Sequence, residues 1–384
     1  MNILLLSWRL PSHPRSGGAE VLTQRIAEHL VEFGHNVCWA GGGLTSPASD
    51  VGGVRYAALG SQVKTLLSAP NFYRKLPYVP DIVIEQINTL PFFAAAYVRA
   101  PILTWFNQLA RAIWWYEAPF PLNALGYLAE PWYLRFYREA DVVTISKSSA
   151  ADLRRHRIGK RISIIPMAAD TPALSRLSDK SAGPIRLAFV GRIVASKRPT
   201  DAIRALALVR KHREAVLAVV GSGDRSAVRR AFEVAKREGV ENFVTFHGFI
   251  DAREKERILN ESHLLVVPSA KEGWGMVVTE ANRVGTPAIA YNVDGLKDAV
   301  SDGQTGWLCE PTSAALAQAV LLAMSDWRSY ERVRQQAWNT AKPLSWETTA
   351  RALERVLEEC IHDYRQRSAR QDTCWEPTNA PGGK

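Results

Sequence analysis

At 384 residues the chain exceeds what one compact core of ordinary size holds, so two domains are expected, at most three. With 47% hydrophobic and 22% charged residues, 25 glycines and 21 prolines, the composition is that of a soluble globular protein and excludes disordered, collagen-like and repeat-biased chains. A formal charge of +10, spread over both halves rather than placed in a tail, describes a surface that attracts anions: nucleotides, phospholipid surfaces or nucleic acids.

The opening Met-Asn-Ile-Leu-Leu-Leu lacks a basic n-region and is cut short at Arg9, so it does not read as a signal peptide. The longest apolar stretch, 90–106, is broken by Arg99 and Pro101, and no segment reads as spanning a bilayer unaided. Cys38, Cys309, Cys360 and Cys374 are scattered without a CxxC pair, and the histidines show no HExxH spacing. Disulfide scaffolds and zinc sites are therefore not expected, and a reducing cytoplasm is the expected compartment.

In chain order, 3–7 reads as a buried strand, followed by a Pro/Gly-rich loop and a helix over 19–33. Strands follow at 36–40, 81–85, 101–105, 142–145 and 162–165, and 171–184 reads as a linker. The second half repeats the alternation, with strands at 185–190, 215–220, 243–246, 264–267 and 287–290 and helices near 200–210, 226–238, 252–260 and 276–284. Terminal helices are expected at 314–324, 327–340 and 346–364. Alternating strand and helix twice over predicts an α/β protein with two doubly wound parallel sheets and ligands at the strands' carboxyl ends. The domains are placed at 1–178 and 184–344, with a helix at 345–364 packing back on the first and 365–384 as a loose tail.

The sharpest constellation is Lys271-Glu-Gly-Trp-Gly-Met-Val-Val-Thr-Glu280, directly after the strand at 264–267. Glu272 falls in a Gly-flanked loop and Glu280 in the next helix, whose free N–H groups face the crevice. A diphosphate on that helix start would leave one carboxylate for a sugar hydroxyl and the other for a ribose. The ordinary alternative is a loop Glu and a solvated helix Glu. Gly191-Arg192-Ile-Val-Ala-Ser-Lys197 leaves the first strand of the second half and offers two cations where a diphosphate leaving group needs them. Ser16-Gly17-Gly18-Ala19-Glu20 forms a further anion seat at a helix start, or a simple N-cap turn.

Together, Glu-x7-Glu, the Gly-Arg-x4-Lys loop and the Gly-Gly-Ala-Glu loop resemble those of retaining nucleotide-sugar glycosyltransferases, the large fourth sequence family with the GT-B fold. The likeness runs from Met1 to about Tyr364, with His247-Gly248-Phe249, Pro287 and Gly295-Leu296 also in place. The resemblance implies two Rossmann-like domains facing a central cleft and a UDP- or GDP-linked sugar as co-substrate, with no cofactor. It also implies that Arg192 and Lys197 hold the diphosphate with Gly191, backed by Gly17 and Gly18 from the other domain. Glu272 would meet the donor sugar, Glu280 the ribose, and Gly273, Trp274, Gly275 and Met276 sugar and phosphate; His247 and Gly248 would border the base. Glu272, Arg192 and Lys197 are the residues implied to be catalytic.

No Asp-x-Asp occurs, so cations and helix dipoles are expected to neutralise the leaving group without a metal. Family members often carry His where Asn107 stands, before Gln108; an amide accepts no proton there. The acceptor is expected at Asn107, Gln108, Trp114 and Trp115, as a glycan, a lipid-linked sugar or a small molecule, S-linked acceptors included. Residues 105–137 hold 11 aromatics, which suit sugar stacking, peripheral contact with a membrane, or plain core packing. The run Arg154-Arg155-His156-Arg157 with Lys160 would meet acidic headgroups or simply be solvated. A dinucleotide dehydrogenase is disfavoured because Gly221-Ser-Gly223-Asp-Arg-Ser226 lacks the third glycine and follows the second strand of its half. A GT-B protein that binds the nucleotide-sugar without transfer remains the other reading. Nucleic acid is not an expected partner, since only net charge speaks for it.

Overall fold

The apolar runs become strands covered on both faces, as parallel strands beneath helices require. In the computed structural model, which describes residues 1–13, 16–43, 52–117 and 119–373, these strands form two all-parallel sheets. The first half supplies β1 (Asn2–Ser7), β2 (Asn36–Gly41), β3 (Arg55–Ala58), β4 (Ile82–Ile87), β5 (Ile102–Phe106), β6 (Asp141–Thr144) and β7 (Arg161–Ile164). They are ordered β3-β2-β1-β4-β5-β6-β7. The second half supplies β8 (Ile185–Val190), β9 (Ala215–Val220), β10 (Val244–Gly248), β11 (Leu264–Val267), β12 (Ala288–Tyr291) and β13 (Gly306–Cys309), ordered β10-β9-β8-β11-β12-β13. Each sheet reverses its winding beside its first strand, between β1 and β4 and between β8 and β11.

Several elements go beyond the sequence expectation, the helices Leu122–Tyr133 and Lys147–Arg155 among them. β3 and β13 are short edge strands of mostly half-buried residues, so neither presents a long apolar run. The helix Gln62–Arg74 carries Pro70 inside it, a residue that ordinarily argues against a helix. The last helix also differs: it runs Trp346–Thr373 rather than ending at 364. Residues 366–373 contain neither Gly nor Pro, and their Gln, Arg and Ala favour continuation. The loose tail expected from 365 is thus helical to Thr373, and its remainder, 374–384, lies outside the described residues.

That last helix returns to the first half. Its Trp346, Ala350, Leu353 and Leu357 share one buried cluster with Ile3, Leu22 and Trp39, and it lies along the helix Gly18–Glu32. The connecting segment 171–184 is anchored by Lys180, a buried amine whose Nζ donates to the carbonyls of Asn260 (2.6 Å) and Ser262 (2.7 Å) and to Thr286 Oγ1 (2.8 Å). Burial pushes that amine well below its ordinary pKa.

Candidate active site

The loops leaving the carboxyl ends at the two winding reversals are where an α/β sheet offers a crevice. The loop after β1 delivers Gly17 and Gly18 to the start of the helix Gly18–Glu32. The loop after β8 delivers Gly191, Arg192 and Lys197, and the loop after β11 delivers 271–275 to the helix Met276–Arg283. β5 runs directly into Asn107 and Gln108.

Lys197 and Glu272 meet: Nζ donates to Oε1 in a short ion pair whose side chains are 25% and 14% exposed. The loop that carries Glu272 is held on two sides. Ala270 N–H donates to the Ser196 carbonyl at 2.8 Å, and Glu272 N–H donates to the Asp294 carbonyl at 3.1 Å. Gly295, at φ +82°, lies against the Glu272 carbonyl so closely that a Cβ would collide with it, which only glycine avoids. Arg192 is exposed in the neighbouring loop.

Opposite stands Glu20, whose Oε2 accepts the Gly17 N–H at 2.7 Å and so fixes the glycine turn as half of a capping box. Burial raises the Glu20 carboxyl above its ordinary pKa, opposed mainly by Arg9 at 3.8 Å and, more weakly, by Arg192 from the second half. Glu280 is buried in the helix Met276–Arg283, where Lys255 Nζ donates to Oε1 at 2.8 Å. Burial raises its pKa as well, with Lys255 pulling the other way and Asp170 adding to the rise.

The two halves touch around these groups. A Cβ on Gly18 would come within 3.4 Å of Met276 Sδ, and one on Gly273 within 2.9 Å of the Asn107 carbonyl. Ser148, in the helix Lys147–Arg155, donates its N–H to the Asp298 carboxylate at 3.2 Å and its hydroxyl to the same group, while Oγ accepts the Gly295 N–H at 2.8 Å. From the same helix Asp152 accepts Lys271 Nζ at 3.1 Å. Sequence reasoning passed over Ser148, Asp152, Lys255 and Asp298, because each stands in an ordinary polar helix segment and only folding brings its partner near.

On the acceptor side the expected residues separate. Asn107 Oδ1 accepts Trp105 Nε1–H at 2.9 Å, while Asn107 Nδ2 and Gln108 Oε1 are buried polar atoms with no protein partner. Trp114 is half-buried: its ring covers Gly126 and its Nε1–H reaches Glu130 at 3.2 Å. Trp115 is 52% exposed beside Tyr127. His247 and Gly248 stand on the edge strand β10, two strands from β8. Gly221 and Gly223 serve close packing: a Cβ on either would strike the carbonyl of Gly191 or Ile193 in the loop after β8, which leaves the dinucleotide reading without support. Among the described residues no three His, Cys, Asp or Glu side chains gather as metal ligands do. An open hollow of about 700 Å³ near Tyr73, Tyr97 and Arg99 lies at the amino ends of β4 and β5, away from all these groups.

Comparison with known proteins agrees with this arrangement. Residues 16–172 match the model described as Glycosyltransferase Family 4, and residues 171–340 match that of Glycosyl transferases group 1. Glycogen synthase of Mycobacterium tuberculosis is 33% identical over 177 residues, 45% of this chain and 42% of that protein. D-inositol 3-phosphate glycosyltransferase of Corynebacterium efficiens is 31% identical over 240 residues, 57% of each. The chain thus spans about half the length of the curated relatives it matches. Among solved structures, sucrose-phosphate synthase from Thermosynechococcus elongatus superposes with a TM-score of 0.73 at 21% identity, covering 96% of this chain and 99% of that one. Anabaena HepE in complex with UDP-glucose gives 0.69 at 17%, covering 94% and 100%. The tandem match over both sheets, joined to the fold, places the chain in the group 1 glycosyltransferases of the GT-B fold.

Proposed function

We propose that the chain transfers a sugar from a nucleoside-diphosphate donor to a hydroxyl of a glycan or lipid-linked acceptor, with retention of configuration and without a metal ion. The observation that carries this is the Lys197–Glu272 pair, held beside Arg192 and the helix start at Met276 and faced by Gly17 and Gly18 from the other half. Two cations and two helix starts supply positive potential for a diphosphate, and Glu272 supplies a carboxylate for the sugar. The HepE structure with UDP-glucose makes a UDP-sugar the first donor to test.

In this reading the bond from the sugar's anomeric carbon to the diphosphate oxygen breaks first, leaving oxocarbenium character on the sugar and charge on the leaving group. Arg192 and Lys197 stabilise that charge. The acceptor hydroxyl attacks from the same face, and its proton passes to the departing phosphate oxygen, so no protein base is needed. That route suits Asn107, whose amide binds but takes no proton. The unpartnered Asn107 Nδ2 and Gln108 Oε1 are the polar groups offered to sugar hydroxyls.

The test is a thermal-shift panel of UDP, GDP, ADP and dTDP, followed by turnover of the matching donor in the presence of a chelator. Binding of one diphosphate and activity that survives chelation are expected. Arg192→Ala and Lys197→Ala should each lower turnover by about a hundredfold or more. Unchanged kinetics in both variants would overturn the assignment, and chelator-sensitive activity restored by magnesium would overturn its metal-free form.

A further inference from the structure

The helix Leu122–Tyr133 is inverted relative to an ordinary surface helix. Its protein-facing side buries two polar residues beside Tyr133: Glu130, 2% exposed, accepts the N–H groups of Ala110 (2.9 Å) and Arg111 (2.6 Å) as well as the Trp114 indole, and Asn123 is buried too. Its outer side is apolar. Leu122, Leu125, Leu128 and Trp132 stand one turn after another in solvent, the last two 67% and 68% exposed. The following turn Leu134–Tyr137 extends the face with Phe136, 77% exposed, against whose ring Phe93 packs edge-on at 6.1 Å. A contiguous apolar face of this size is unusual on a protein that meets only water.

The charge around it selects the partner. The Arg135 guanidinium lies over the Trp132 ring at 4.5 Å, and that of Arg111 over Tyr127 at 4.4 Å. Gly159 N–H bonds to the Tyr137 carbonyl at 2.9 Å and Lys160 N–H to that of Ala140 at 3.0 Å, which brings the exposed Arg154, Arg155 and Arg157 alongside the same turn. Within 122–137 the one acidic residue is Glu130, and it faces inward. Leucines, a tryptophan and a phenylalanine rimmed by arginines suit a bilayer interface with anionic headgroups. No described helix is long and apolar enough to cross a membrane, so the contact is one of lying on it. The neighbouring turn Trp114–Glu117 packs against Ala195–Lys197, so this face adjoins the mouth of the cleft beside Lys197.

We infer that the outer face of Leu122–Tyr133, continued by Phe136, docks the protein on an anionic phospholipid surface with the cleft beside it. This deepens the acceptor reading above and rests on it only where a lipid-linked acceptor is concerned.

The test is co-sedimentation of the full chain with vesicles of phosphatidylcholine alone or mixed with phosphatidylglycerol, at low and high salt. The wild type should pellet with the mixed vesicles, less with the neutral ones, and be released by salt. Replacing Leu125, Leu128 and Trp132 together by Ser should weaken partitioning by about tenfold or more, and Phe136→Ser alone should weaken it less. Arg154→Gln, Arg155→Gln and Arg157→Gln together should remove the preference for anionic vesicles. Each variant should keep its UDP thermal shift, which reports an intact fold and donor site; where the triple Ser variant fails to fold, Phe136→Ser decides. Wild-type protein left in the supernatant, or variants that bind as the wild type does, would overturn the inference. So would a wild-type dimer that the Ser substitutions dissociate and that ignores vesicles, because a second copy would then own the face. Vesicle binding without any sugar transfer would leave this inference standing and remove the proposed function instead.

Discussion

Glu272 receives its proton donor from the loop after β8, whereas Glu280 receives Lys255 from a helix packed outside the crevice. In the proposed function the first carboxylate is coupled to the cation assigned to the diphosphate, and the second to a cation outside that assignment. Glu272→Gln should lower kcat, with the donor KM less affected. Glu280→Gln should raise the donor KM, and Lys255→Met should do the same by roughly tenfold, the scale of a lost charge-assisted hydrogen bond. Steady-state kinetics with donor varied separate these; equal, small changes in kcat and KM for all three would show solvated carboxylates without assigned roles. Glu85 is a different case, buried at the centre of β4 with Oε1 accepting Phe92 N–H (2.7 Å) and Tyr137 O–H (2.8 Å) and Oε2 without a partner. Burial pushes its pKa up from 4.5 to about 7. Because the folded state holds a proton that the unfolded chain releases, this group's favourable contribution is full below about pH 4.5 and is lost as pH rises through about 7. At about 1.4 kcal/mol per pKa unit the loss is on the order of 3 kcal/mol. Glu85→Gln keeps the neutral form at all pH, so its stability advantage over the wild type in urea should grow from about pH 5 to about pH 8. A constant difference across that range would show that Glu85 stays charged in the fold.

At the scale of elements, legibility in the sequence followed burial. β8, β9 and β11 match their expected spans residue for residue, because strands covered on both faces are nearly continuous apolar runs. The edge strands β3 and β13, half exposed and mixed in character, leave no such run. The three strand-end loops were readable for another reason: each has an ordinary alternative alone, but three such loops at strand ends stood out together, and the fold brings Lys197 onto Glu272 and Gly18 toward Met276. The aromatic segment 105–137 was not readable as one thing, since Trp105, Phe106 and Tyr137 enter the core while Trp115, Trp132 and Phe136 stay outside. Composition is the same in both groups. What separates them is the element each stands on: Trp105 and Phe106 lie in a central strand, while on the helix Leu122–Tyr133 the inward turn of Glu130, which three donors stabilise, leaves Trp132 outside.

For the whole molecule, one helix of the first half carries two polar ties to the second. Lys147–Arg155 belongs to the first half, yet its first turn takes Asp298 and its second takes Lys271, both from the second half. Asp298 thus completes the N-terminus of a helix in the other half, where free N–H groups favour an anion. Through Lys271 the same helix also holds the residue beside Glu272, so one helix of the first half is tied to the loop that carries that carboxylate. Separate domains joined by a linker move relative to each other unless contacts oppose it, and the polar contacts through Asp298 and Lys271 stand here beside the apolar packing of Trp274 and Met276 on the first half. Asp298→Ala should therefore favour the open form. A donor that binds the closed form would lose affinity in proportion to the closed fraction, an effect of roughly tenfold or more for a lost charge-assisted contact. Small-angle scattering should show a larger radius of gyration for this variant without ligand, contracting toward the wild-type value when the nucleoside diphosphate saturates it. Identical scattering and identical donor affinity in the two proteins would mean that closure is held by other contacts.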